Sequence, residues 1–213
     1  MSEDLIRKYC LEINGLIAGN KKNIELNSDH VRSFLIYLDC IEKWNKTHNI
    51  VSCKFSTEDL YDNIVDCVIG GTLLSLKDHV YDVGSGGGFP AIILAIMFPE
   101  IKLSLVESSR KKCSFLRVVK NTLNLHNIEI KNQRVESLAN LYFITTKAAF
   151  SPLNIGLLWE ALAKEGQMAI WATLKNRENF ISTLGKLGAN LVGSWGYELP
   201  QGQKRCILLL SKN

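Results

Sequence analysis

Apolar positions along this 213-residue chain change their spacing near residue 77. Before that point they recur at helical intervals, from Leu5 to Ile17 and again from His30 to Trp44, where Val31, Phe34, Leu35, Leu38 and Ile41 share one face. Asn27 or Ser28 suits the N-cap of the second helix, and Asp29 is favourable in its first turn. A third helix is expected from Ser56, its N-cap, through Glu58 and Asp59 to about Leu74. From Val80 onward, short apolar runs alternate with helical segments. Strands are expected at His79 to Val83, Lys102 to Glu107, Ile128 to Gln133, Leu141 to Thr145, Gln167 to Thr173, Ala189 to Tyr197 and Arg205 to Ser211. Helical stretches at Pro90 to Phe98 and Arg110 to Asn124 separate the first three. That βαβαβ order predicts an α/β fold with a mostly parallel, seven-stranded sheet covered by helices on both faces. The last two strands are joined by a loop, Glu198 to Lys204, and are expected to pair antiparallel.

Directly behind the first strand lies DVGSGGGFP, with four glycines in the five positions from Gly84 to Gly88. Such a cluster implies positive φ angles or a ligand lying against the main chain. The dinucleotide spacing G-x-G-x-x-G fails, because its third glycine falls on Phe89. The phosphate-loop pattern fails too, since no Lys-Ser or Lys-Thr follows at the required distance. With Asp82 the stretch reads D-x-G-x-G-x-G, which resembles the signature of class I S-adenosylmethionine-dependent methyltransferases. A bare loop at a helix N-terminus can approach a carboxylate-bearing ligand closely, while an acidic side chain counters its ammonium. About twenty residues on, Glu107 closes the next strand, where a carboxylate can accept from both hydroxyls of a ribose. The segment NQRVES follows the third strand and places Val135 and Glu136 at its C-terminal end, where the carboxyl edge of an open sheet would meet an adenine.

Composition adds limits. Hydrophobic residues make up 46% of the chain and charged residues 22%, enough for a substantial core, and the N-terminal MSEDLIRKYC lacks the apolar stretch of a secretory signal. No run approaches the roughly 20 residues that span a bilayer, and a monomer in the cytoplasm is the expectation. Cys10, Cys40, Cys53, Cys67, Cys113 and Cys206 are scattered, with no metal-ligand spacing, and are expected to be reduced packing residues. The net charge of +4 is small, and its one local concentration is Arg110, Lys111, Lys112, Arg117 and Lys120.

Together, DVGSGGGFPAIILAI, VESSRKKCSFL and RVES, with WNKTHNIVS upstream and INGLIAGN near the start, resemble the RsmG or GidB family of bacterial 16S ribosomal RNA guanine-N7 methyltransferases. The resemblance covers most of the chain. It implies a Rossmann-like methyltransferase unit over residues 77–213 with an N-terminal helical extension over 1–76. It further implies S-adenosyl-L-methionine as cofactor, the 16S RNA of the small ribosomal subunit as partner, and transfer of a methyl group to a guanine N7. Carried over by position, cofactor contacts fall on Asp82, Gly84, Gly86, Gly88, Phe89, Glu107, Val135, Glu136 and Lys147, and RNA-facing roles on Lys111, Lys112 and Arg134. The family's arginine after the fourth strand is here Lys147, or Ala148 with a shifted gap, and its His-Ile-Leu-Asp-Ser segment reads Asn63 to Cys67, with Asp66 retained. A methyltransferase of small molecules or proteins, and a module that binds without turnover, are the alternative readings.

No Ser-His-Asp, Cys-His or paired-carboxylate constellation appears, and the four histidines are dispersed. Guanine N7 has an exposed lone pair, so its methylation requires no general base and no catalytic residue is assigned.

Overall fold

The computed structural model of the chain describes residues 3–20, 24–51 and 56–213. Ser52 and Cys53, like Met1 and Ser2, lie outside the described residues. Three helices come first: α1 (Glu3–Ile17), α2 (Ser28–Asn45) and α3 (Thr57–Leu73). The caps anticipated from the sequence form. The Asn27 side chain accepts from the backbone N–H of Asp29 and His30, and the His30 ring accepts from the N–H of Asn27 at 3.1 Å. Ser56 and Asp59 make the reciprocal pair at the start of α3. Nearly every residue of α3 from Ile64 onward is buried, and its two glycines explain how closely it fits. A Cβ on Gly70 would run into the indole of Trp171, and one on Gly71 would press on Leu94 and Phe98.

Seven strands follow: β1 (His79–Val83), β2 (Lys102–Val106), β3 (Ile128–Lys131), β4 (Leu141–Lys147), β5 (Leu162–Thr173), β6 (Ala189–Glu198) and β7 (Lys204–Lys212). They lie in the order β3-β2-β1-β4-β5-β7-β6. The first five run parallel, and β7 is antiparallel to both β5 and β6. β5 starts at Leu162, ahead of the expected Gln167, with Glu165 at φ 61° inside the added segment.

Helices α4 (Ala91–Met97) and α5 (Arg110–Thr122) join α1 to α3 on one face, over a core that includes Tyr37, Phe89, Leu103, Phe115 and Trp171. The other face carries α6 (Gly156–Ala161) and α7 (Arg177–Lys186), packed on Val83, Val106, Ile144, Met168 and Leu208. These two helices were not anticipated. The first has six residues, shorter than the window over which helical periodicity can be read, and the second continues from a 3-10 turn at Leu174–Asn176. Cys40, Cys67, Cys113 and Cys206 are buried free thiols, and Cys10 is half-buried. No helix among the described residues is long and apolar enough to cross a membrane.

The strand order reverses between β1 and β4, whose register sets Asp82 opposite Thr145. In open sheets the carboxyl ends at such a switch point form the ligand crevice. Here α2 reaches into it, because the Tyr37 hydroxyl donates to the carbonyl of Gly87 at 2.6 Å in a buried contact. Replacing Tyr37 by Phe leaves that carbonyl without its partner. The variant is expected to lose roughly 1–3 kcal/mol of stability, measured by urea unfolding, with an unchanged fold by circular dichroism.

Candidate active site

The loop between β1 and α4 owes its shape to glycine. Gly84, Gly86 and Gly88 have φ of 78°, 55° and 103°, the left-handed region that side chains with a Cβ adopt at a cost. At Gly88 a Cβ would also lie 2.6 Å from Ile92 Cγ1, whereas at Gly86 it would face mostly open space. The loop is tied down through its backbone: Gly84 N–H donates to Val106 O at 2.9 Å, and Gly88 N–H to Ser85 O at 2.7 Å. Glu107, at the end of β2, accepts from Gly86 N–H through Oε2 at 2.9 Å and from Ser109 N–H through Oε1 at 2.7 Å. Each carboxylate oxygen keeps a free lone pair for a further donor.

Asp82 lies beneath the loop, 1% exposed. Its Oδ1 accepts from Thr145 Oγ1 at 3.0 Å, while Oδ2 has no partner among the described residues. Burial, with Glu107 nearby, pushes this carboxyl up to about 7 against the pull of its hydrogen bond from Thr145, while the Ser85 hydroxyl donates to the Asp82 backbone carbonyl at 2.8 Å.

Three cavities open along the carboxyl edge. The first, about 250 Å³, runs between Val83, Gly84, Val106, Glu107, Arg134, Val135, Glu136 and Leu157. Apolar walls with carboxylates at Glu107 and Glu136 suit a flat aromatic group attached to a diol. The second, about 460 Å³, lies on the other side of the loop, bounded by Gly84 to Gly87, Phe89, Lys112, Lys147, Ile50, Val51 and Asn63. Ile50 and Val51 reach it because Asn45 Oδ1 accepts both of their backbone N–H groups, at 2.7 and 3.1 Å. The third, about 150 Å³, shares Asn63, Lys147 and Ala148 with the second and adds Asp59, Asp62, Asp66, Gln203 and Arg205.

Asp66 organises the wall between these last two. Its carboxylate is fully buried and pairs with Lys147, with Arg205 at 3.1 Å and with the Tyr197 hydroxyl at 2.5 Å. Its backbone carbonyl accepts from the Trp171 indole at 3.0 Å. Burial alone would push this carboxyl up, but Lys147 and Arg205 together outweigh it and hold the group below the ordinary carboxylate value.

The residues singled out from the sequence thus converge: Asp82, Gly84, Gly86, Gly88, Phe89, Glu107, Val135, Glu136 and Lys147 line or underlie one crevice. Phe89 packs its ring 5.2 Å from that of Tyr37. The basic residues divide. Lys111 is exposed on α5, whereas Lys112 turns toward Gly86 and Arg134 sits at the mouth of the first cavity. Sequence reasoning missed Tyr37, Asp62, Tyr197 and Arg205, whose roles come from partners far along the chain. Asn45 carried a usable signal, since it lies within the WNKTHN segment that the resemblance had marked. Among the described residues no group of three His, Cys, Asp or Glu side chains is arranged to hold a metal ion.

Comparison with known proteins follows this geometry. The family model for GidB, rRNA small subunit methyltransferase G, matches residues 30–181. The ribosomal RNA small subunit methyltransferase G of Francisella philomiragia is 32% identical over 168 residues, 78% of this chain and 78% of that protein. Among solved structures, the cofactor-bound protein Rv0187 from MTB superposes with a TM-score of 0.60 at 14% identity, covering 85% of this chain and 91% of that one. An S-adenosylmethionine-dependent O-methyltransferase from Thermotoga maritima gives 0.52 at 17% identity, over 83% and 71%. At these identities the structural likeness is one of fold.

Two outcomes are expected for the buried carboxyls. Asp66→Asn leaves two largely buried cations, Lys147 and Arg205, without their counter-charge and should cost about 3–5 kcal/mol, read by denaturant unfolding at pH 7. For Asp82, native chains keep the proton up to about pH 7 while unfolded chains release it near pH 4. Its contribution to stability therefore falls as pH rises from about 4 to about 7 and is level above that. Asp82→Asn should gain on the parent across the same window, by up to roughly 1.4 kcal/mol per pH unit, and thermal unfolding at pH 5, 6, 7 and 8 checks the sign.

Proposed function

The chain belongs to the rRNA small subunit methyltransferase G family, and on that premise we propose that it transfers a methyl group from S-adenosyl-L-methionine to N7 of a guanine in the 16S RNA of the small ribosomal subunit. The observation that carries the reading is the coupling of loop and acid: a positive-φ glycine loop whose Gly86 N–H is held by Glu107, with an apolar cavity beside it.

The residues present fit the cofactor. Val83, Val106 and Val135 offer flat apolar walls for an adenine, and the free lone pairs of Glu107 match two ribose hydroxyls. The open side of Gly86 lets the main chain approach a methionine moiety, and the partnerless Oδ2 of Asp82 supplies an acidic group beneath it. Lys112, whose ammonium lies 4.0 Å from where a Gly86 Cβ would be, is available to a carboxylate. When bound, S-adenosylmethionine supplies a sulfonium methyl that a neutral nucleophile can take.

The chain's own part is orientation. Guanine N7 has a lone pair and gives up no proton, so no base is required, and among the described residues no histidine lines the second cavity. Ile50, Val51 and Phe89 give that cavity apolar walls while Asn63 and Lys147 supply polar edges. Holding acceptor and methyl in line can be worth roughly 7–11 kcal/mol of barrier. An A-form helix hides N7 in a deep, narrow groove, so the target guanine is unpaired or turned out of its stack. Exposed Arg110, Lys111 and Arg117 on α5 give the RNA backbone a cationic face beside the crevice.

The decisive assay is transfer of radiolabelled methyl from S-adenosylmethionine to 30S subunits lacking the modification, with naked 16S RNA alongside and the labelled nucleoside identified by chromatography. Label in 7-methylguanosine is expected. Gly86→Val puts a β-branched side chain at φ 55° and should abolish cofactor binding by calorimetry while the protein stays folded. Label in any other nucleoside, or only in protein, overturns the proposal.

A further inference from the structure

The third cavity is not needed to hold the cofactor, yet it has features of a built site. Asp62 is 2% exposed, lines this cavity, and has one carboxylate oxygen, Oδ1, with no hydrogen-bond partner among the described residues. Its other oxygen accepts from the backbone N–H of Gln201 at 3.3 Å, so the loop between β6 and β7 roofs the cavity with Leu199 and Gln203. A buried carboxylate oxygen without a donor is costly, and such atoms are paired in most folds. Burial, with Asp59 and Asp66 nearby, pushes the Asp62 carboxyl up.

The cavity's charge selects what enters. Three aspartates, Asp59, Asp62 and Asp66, line it, and the cations beside them, Lys147 and Arg205, are already engaged by Asp66. A phosphate would meet this ring of carboxylates unfavourably, whereas a group rich in N–H donors would not. The connection to the second cavity adds a direction. Guanine presents, in order around its edge, the acceptors N7 and O6 and then the donors N1–H and N2–H2. In the structure Lys147 lines both the cavity beside the glycine loop and the third cavity, and Asp62 lines the third.

We propose that Asp62 is a specificity-determining residue that reads the N1–H and N2–H2 edge of the turned-out guanine, with its O6 against Lys147 and its N7 in the second cavity. This rests on the methyl-transfer reading above. Enzymes that act on an extruded base commonly recognise its Watson–Crick edge by hydrogen bonds. A site built around such a donor rejects an analogue that lacks it, because the buried acceptor is then left unpaired. Adenine, which lacks both N–H donors on this side, is excluded by the same means.

The test changes the substrate first. The labelled position is mapped with the native chain, and 16S RNA carrying inosine at that single position is made by ligation and compared with its guanosine counterpart, each assembled into subunits. Inosine keeps N7, O6 and N1–H but has no 2-amino group. The native chain is expected to methylate the inosine substrate with kcat/KM at least about 100-fold lower. Asp62→Ala should lose activity on guanosine and show a guanosine-to-inosine ratio within about threefold of one, with cofactor affinity by calorimetry unchanged. A native chain that methylates both substrates within threefold overturns the inference and needs no variant to do so. An Asp62→Ala chain that folds and still discriminates overturns it as well. Absence of label on the guanosine substrate itself overturns the methyl-transfer reading, and this inference with it.

Discussion

The carboxylate of Asp66, fully buried on α3, receives Lys147 from β4, Arg205 from β7 and Tyr197 from β6, while its carbonyl receives the indole of Trp171 from β5. A buried charge is tolerated only with such a complement, since desolvating a lone carboxylate would cost more than folding supplies. The consequence is mechanical as well as electrostatic. Four strands are pinned to one helix at the carboxyl edge of the sheet, and Lys147 is fixed in the wall between two cavities. Gly70, one turn beyond Asp66 on α3, lets Trp171 come close enough to take part.

A second constraint is chirality of the backbone. Three glycines in left-handed conformation turn the chain sharply from β1 into α4, and the main chain this exposes is held from both sides, by Glu107 at Gly86 and by Tyr37 at Gly87. The N-terminal helices therefore do more than cover the sheet. They contribute Tyr37 to the loop, and Ile50, Val51 and Asn63 to the second cavity. A preorganised cleft of this kind binds without paying for loop ordering at the moment of encounter.

The buried aspartates fall into two groups. Asp66 has two cations within reach and is held ionised. Asp82 and Asp62 lack a direct cationic partner among the described residues, and burial drives both upward. Carboxyls poised in this way respond to whatever cation or donor arrives, because the charged form becomes favourable only when it is paired. One such group lies under the glycine loop and the other in the third cavity, so the crevice offers an unsatisfied acid at each end.

Much of this was legible in the residues themselves. Alternation of apolar runs, the caps at Asn27 and Ser56, and the strand-loop-helix context of DVGSGGGFP are local patterns, and they specify the seven strands, the first helices and the glycine loop through interactions a few positions apart. The pairing of Asp66 with Arg205 and Tyr197, the contact of Tyr37 with Gly87, and the orphaned oxygen of Asp62 leave no such trace. Their partners are 139, 131 and 50 residues away where partners exist, and a side chain's burial depends on what the rest of the chain packs around it. Likewise α6 is too short to display a period, and Lys111 and Lys112, adjacent in the chain, point to different surroundings because α5 turns about 100° between them. Local chemistry determined the class of fold and the glycine loop; only the tertiary structure decided which buried charges meet, and hence the shape of the cavities beside that loop.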